Sequence, residues 1–231
     1  MTTFALIHGG AHGGWCWELL VPELEAHGHN AVTPDLPFEE DAGAKVWAET
    51  VIGALDEAGA GDDVVLVGHS LGGMAVPVIA SMRPVRRMVF LGAMVPVPGR
   101  VYADYLAENP DAVTFTNDFE TGEMNSSGLS WEAARDGFYN DVPEDVARRA
   151  WDRLRPTALT VFTEQCPIDR WPDVPSTYIL MTEDRAVGPE WSRRVARERL
   201  GSDAIELPGS HSPFLSRPAV LADALVTVSQ L

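Results

Sequence analysis

Basic residues are scarce in this chain: 17 Lys and Arg stand against 34 Asp and Glu, a net charge of −17 over 231 residues. Phosphate backbones are held by clustered Lys and Arg, so nucleic acid is not an expected partner, and an anionic membrane surface is disfavoured on the same ground. The acidity itself reads as solubility. Cysteine is nearly absent. Cys16 and Cys166 are the only two; they lack C-x-x-C spacing, nothing requires them to pair, and free thiols in a reducing cytoplasm are the expectation. Long apolar runs are missing too, with none near the roughly 18 residues of a membrane span. Met1 to Gly10 runs straight into a strand pattern, without the basic and apolar regions of a signal peptide. No internal repeat is visible. The histidines have no i, i+4 partners with acids on one face, so no metal cluster stands out; no cofactor is expected either. What remains is ordinary globular material, 45% hydrophobic and 22% charged, long enough for a single α/β domain over residues 1–231.

Strand-like and helical runs alternate along most of the chain. Strands are expected at 3–7, 30–33, 63–67, 87–91, 177–181 and 204–207. Helices are expected at 17–26, 42–58, from the end of the third strand through Ala80 with a kink at Pro77, at 189–200 and at 218–228. This order implies βαβ crossovers and a mostly parallel sheet flanked by helices. The rhythm breaks between about 96 and 173, a stretch rich in Pro, Asn, Gly and acids that offers a helix at 143–154 and a short strand at 159–162. Insertions of this kind belong to loops at the carboxyl ends of strands, where ligands bind. The segment is therefore expected to form a cap insertion.

The third strand pattern, Asp63 to Val67, runs directly into Gly68-His69-Ser70-Leu71-Gly72. Composition alone supplies roughly 0.1 such G-x-S-x-G pentapeptides by chance, so the setting matters more than the motif. A buried strand entering Gly-x-Ser-x-Gly and then a helix is the sequence form of a nucleophile elbow, with a serine hydroxyl exposed above the sheet end. Side chains at 68 and 72 would collide with the neighbouring helix and strand. Ser70 then needs a base, and the base needs an acid. Of six histidines, His27 and His29 fall at the wrong end of the sheet, and His69 points away from the hydroxyl. His8 and His12 follow the first strand on the correct side. His211, in the loop after the last strand, fits the order serine, acid, histidine of this sheet class. The acid then comes from the end of the fifth strand, as Glu183 or Asp184. Leu71 supplies one oxyanion amide, and the Gly-rich loop His8-Gly9-Gly10 supplies the other. That loop has neither the Lys-Ser/Thr ending of a P-loop nor a G-x-G-x-x-G pattern.

These residues resemble the α/β-hydrolase superfamily, and within it the plant hydroxynitrile lyase and methylesterase group with its bacterial esterase relatives. The resemblance rests on Phe4 to Trp17, Leu24 to His29, Val65 to Met74, Tyr178 to Asp184 and Gly209-Ser210-His211, with a looser match near Tyr139 to Pro156. It implies the α/β-hydrolase fold, Asp184 rather than Glu183 as the acid, and Gly10 and Leu71 as oxyanion donors. Lyases of the group resemble this pattern with Thr where Gly9 stands and Lys where Ser212 stands, so the esterase reading gains. Serine in the elbow also separates the chain from relatives that use Asp there.

The expected function is cleavage of a small or medium-sized carboxylic ester by Ser70, His211 and Asp184 through an acyl-enzyme. The rival readings are a hydroxynitrile lyase-like carbon–carbon lyase and a non-catalytic ligand receptor on the same fold. Gly9, His12 and Trp131 are the expected pocket residues, with Phe138, Met124, Trp15 and Met94 as further apolar candidates that equally suit packing. A small-molecule ester is the expected partner, and a homodimer is left open.

Overall fold

The computed structural model of the chain describes residues 1–38, 41–116 and 123–231. Among these residues six strands form one sheet: β1 (Thr3–Ile7), β2 (Asn30–Val32), β3 (Val64–His69), β4 (Arg87–Leu91), β5 (Ser176–Met181) and β6 (Ile205–Leu207). Their spatial order is β2-β1-β3-β4-β5-β6, and every neighbouring pair is parallel. Parallel neighbours need crossovers, and helices supply them. α1 (Val21–Ala26), α2 (Ala44–Glu57) and α3 (Val76–Met82) connect the first four strands. α4 (Tyr102–Glu108), α5 (Trp131–Gly137), α6 (Glu144–Asp152) and α7 (Thr160–Thr163) lie between β4 and β5. α8 (Pro189–Val195) runs on through a wider turn to Leu200 before β6, and α9 (Pro213–Ser216) and α10 (Pro218–Ser229) close the chain.

The four central strands, β1, β3, β4 and β5, are buried on both faces, which is why they read as apolar runs. Side chains alternate between two cores. Ala5, Ile7, Leu66, Phe90 and Tyr178 face the layer containing Trp47 of α2 and Trp191 of α8. Phe4, Leu6, Val65, Val67 and Ile179 face Trp17, Leu24 of α1 and Leu221 of α10. Both β2 and β3 flank β1, so the connections turn one way to β2 and the other way to β3. The carboxyl ends of β1 and β3 therefore frame the crevice where α/β sheets bind ligands.

Three expected elements differ. The helix expected at 17–26 is broken into a short 3₁₀ turn, Gly14–Trp17, and α1. Pro22 sits in the first turn of α1, where its missing N–H costs nothing. The strand expected at 159–162 is instead the single helical turn α7. The turn is tied down by Thr160 bonding Asp41, while Glu164 just beyond it accepts the Ala44 N–H at 2.6 Å, near the start of α2. Pro77 also acts differently: a 3₁₀ segment, Ser70–Met74, precedes a fresh helix start at Val76, so the proline begins α3 rather than bending it.

Candidate active site

Ser70 follows β3 at φ 50°, one of two non-glycine residues at positive φ among the described residues. That conformation is costly for a residue with a Cβ and persists only where the surroundings enforce it. Three tight approaches enforce it here. A Cβ at Gly68 would lie 2.4 Å from Val76 Cγ2, one at Gly72 would lie 2.5 Å from the His8 carbonyl oxygen, and one at Gly9 would lie 2.7 Å from Ser70 Cβ. The Met94 amide then bonds the Ser70 carbonyl at 3.0 Å, locking the turn to the chain beyond β4.

Asp184 and His211 meet across the ends of β5 and β6. His211 Nδ1 lies 2.8 Å from Asp184 Oδ2, and both side chains are buried. The other carboxylate oxygen accepts the backbone N–H groups of Ala186 at 2.8 Å and Val187 at 2.9 Å. A carboxylate filled in this way donates nothing, so Nδ1 carries the proton and Nε2 keeps its lone pair. Ser70 and His211 line the same cavity. Glu183, the other acid considered, does not join them; its backbone pairs instead with Gly209 and Asn140. His69 lies under the histidine loop and bonds the His211 carbonyl through Nε2 at 2.9 Å, so it supports that loop.

The Gly-rich loop after β1 is held by neutral histidines. His8 Nδ1 bonds the Gly9 carbonyl at 2.9 Å while Nε2 accepts the Leu36 N–H at 2.9 Å. His12 Nδ1 bonds the Gly10 carbonyl at 2.8 Å, and its Nε2 meets the Tyr139 hydroxyl at 2.9 Å. A carbonyl only accepts, so each Nδ1 is protonated and each Nε2 accepts. Burial penalises the cation, lowering His8 from the ordinary 6.5 to about 4 and His12 to about 3. Ala11, the second residue at positive φ, gives its N–H to Thr157 Oγ1 at 2.7 Å and accepts the Arg155 N–H at 2.9 Å. The Gly10 amide has no hydrogen-bond partner among the described residues, and a Cβ at Gly10 would meet Leu71 Cδ2 at 3.4 Å. The two expected oxyanion donors thus belong to adjoining residues at the crevice.

Ser70, Leu71, Gly10, His12 and His211 border a cavity of about 400 Å³ whose remaining walls are mainly apolar. Met94, Phe115, Leu129, Phe138, Phe162 and Val187 are among them; the Phe115 and Phe138 rings stack 4.6 Å apart. Most come from the chain between β4 and β5. Residues 117–122 of the expected cap lie outside the described residues. Trp131 does not reach this cavity. At the start of α5 its indole packs into the core, 6.0 Å from Trp151, beneath the Arg148 guanidinium at 3.7 Å. Gly9 packs beneath Ser70 rather than lining the cavity. Met124 and Trp15 are not among its walls either; Trp15 stacks on His12 at 5.6 Å. Arg155 and Thr157 were not foreseen. Nothing local in the sequence marks a loop threonine as the partner of an amide 146 residues away.

No helix among the described residues is long and apolar enough to cross a membrane. Residues 4–224 match the sequence pattern of the alpha/beta hydrolase family. Methylesterase 9 of Arabidopsis thaliana is 25% identical, covering 99% of this chain and 98% of its own length. A pyrethroid hydrolase of Sphingobium wenxiniae is 28% identical, over 97% of this chain and 86% of that protein. Polyneuridine aldehyde esterase has the same fold, with a TM-score of 0.81 at 23% identity, covering 99% of both chains. The chain belongs to the alpha/beta hydrolase family and is a hydrolase enzyme similar to its methylesterases.

Proposed function

We propose that the protein cleaves a carboxylic ester of a small or medium-sized molecule through a covalent acyl-enzyme. The observation carrying this reading is the buried His211–Asp184 pair at 2.8 Å together with a serine held at φ 50° that lines one cavity with His211. Ser70 Oγ attacks the ester carbonyl and His211 Nε2 takes its proton. Asp184 keeps Nδ1 protonated and stabilises the imidazolium. The Gly10 and Leu71 amides hold the oxyanion, which is usually the largest single contribution. His211 then protonates the leaving alcohol, and a water activated by the same nitrogen releases the acid. The segment 96–173 serves as the cap, its apolar residues taking the non-reacting parts of the substrate.

The lyase reading is the weaker one. A Cβ at Gly9 would press on Ser70 Cβ at 2.7 Å and on His69 Nδ1 at 2.9 Å, so the Thr of lyases has no room. Ser70→Ala tests the mechanism: turnover of p-nitrophenyl acetate is expected to vanish, together with labelling by a fluorophosphonate. Undiminished hydrolysis by that variant would end the proposal.

A further inference from the structure

Three consecutive side chains, Tyr139, Asn140 and Asp141, reach three different loops of the site. The Tyr139 hydroxyl bonds His12 Nε2 at 2.9 Å, on the Gly-rich loop after β1. Asn140 Nδ2 donates to the Glu183 carbonyl at 3.2 Å, on the loop that carries Asp184. Asp141 accepts the Ser210 hydroxyl, immediately before His211, and pairs with Arg217 Nε at 3.3 Å just beyond α9. The tripeptide is itself anchored: Arg135 donates to the carbonyls of Tyr139 and Val142. The acid and histidine loops also bond each other, Glu183 N–H to Gly209 carbonyl at 3.0 Å.

The contact at Asp141 is the most constrained. Gly209 stands at φ 118°, and a Cβ there would fall 2.7 Å from Asp141 Oδ2, so the backbone approaches the carboxylate as only glycine allows. Ser210 is buried, and its oxygen receives the Ser212 N–H at 3.4 Å while its proton goes to Asp141. His211 is thus bracketed by a hydroxyl whose orientation Asp141 dictates.

We propose that Tyr139-Asn140-Asp141 is a positioning strap, with Asp141 acting through Ser210 to hold His211 in line between Asp184 and Ser70. This rests on the triad reading above. Asp141 is only partly exposed, and its contact with Ser210 holds the residue next to His211, where a misplacement on the order of 1 Å at the reacting groups costs roughly a hundredfold in rate. Arg217 is partly exposed, so its pairing with Asp141 adds little by itself. The Ser210 contact carries the effect.

The test is steady-state hydrolysis of p-nitrophenyl acetate by Asp141→Ala, Ser210→Ala, the double variant and Asp141→Asn, with Ser70→Ala alongside. Asp141→Ala and Ser210→Ala are each expected to lower kcat at least roughly tenfold with KM unchanged. The double variant is expected to be no slower than the worse single one, since both changes break one contact. Asp141→Asn, which keeps an acceptor for Ser210, recovers most of the rate. A folded Asp141→Ala enzyme with kcat within twofold of the parent overturns the strap, as do losses that multiply in the double variant. If Asp141→Ala does not fold, Ser210→Ala decides by the same criterion. An active Ser70→Ala enzyme overturns the triad reading and the strap with it; an inactive one beside a normal Asp141→Ala overturns the strap alone.

Discussion

Replacing Asp184 by Asn keeps the size of the side chain and reverses one proton. Oδ1 accepts two backbone N–H groups, from Ala186 at 2.8 Å and Val187 at 2.9 Å, so the amide oxygen of an asparagine must take that place. Its NH₂ then faces His211 Nδ1, at the 2.8 Å separation now spanned by the Asp184 contact. An NH₂ meets only an acceptor, so the imidazole proton moves to Nε2 and the base confronts Ser70 already protonated. Restoring the working tautomer requires the amide to flip, which leaves two buried N–H groups unpaired at about 1–3 kcal/mol each. The total, about 2–6 kcal/mol, corresponds to roughly 30-fold to 3 × 10⁴-fold at 1.36 kcal/mol per decade. Losing the charge that stabilises the imidazolium pushes the result toward the upper end, a fall in kcat of order 10⁴. Stopped-assay kinetics on p-nitrophenyl acetate measure the fall. A urea melt matching the parent certifies the fold, and imidazole ¹⁵N shifts report the tautomer. A folded Asp184→Asn enzyme within tenfold of the parent kcat would refute the argument.

Gly9→Ala forces a Cβ to 2.7 Å from Ser70 Cβ; the elbow has to shift, and kcat is expected to drop by roughly a hundredfold at little cost in KM, read from the same assay. His8 and His12, lowered to about 4 and about 3, are neutral in the fold but become protonated in the unfolded chain below the ordinary 6.5. Their contribution to stability is intact above that pH and is lost as pH falls through 6.5 toward 4 and 3, at about 1.4 kcal/mol per pH unit for each. Urea midpoints measured from pH 7.5 to 4.5 should follow that slope, and a flat profile would contradict it. Trp47 is fully buried against Phe38, ring centroids 4.5 Å apart; Trp47→Ala should cost about 3–5 kcal/mol in chemical denaturation.

The elements that organise the site were legible because each obeys a local rule. Val64 to Val67 is an apolar run buried on both faces, the glycines at 68 and 72 answer to contacts under 3 Å, and the loop holding Asp184 follows a strand of the same kind, while the His211 loop follows the short edge strand β6. What escaped depends on neighbours far along the chain. Leu159 to Phe162 has strand-like composition, but it forms a single helical turn held by contacts around residues 41–44. Trp131 and Phe138 are equally plausible pocket residues in sequence; one turns into the core beside Trp151 and the other stacks on Phe115, which no periodicity distinguishes. Asp141 looks like any surface acid until Ser210 is brought to it across 69 residues.

The sheet ends on both sides in strands of only three residues, β2 (Asn30–Val32) and β6 (Ile205–Leu207). On the β6 side, Glu206 is engaged by Nε and Nη2 of Arg193, at 2.8 and 2.7 Å, and Asp203 by Arg197. A foreign strand pairing there would find few free backbone groups and a fence of charge. A crowded stock of this protein is thereby guarded against the commonest failure of open sheets, edge-to-edge growth into fibrils, without any part of the reacting crevice being spent on that protection.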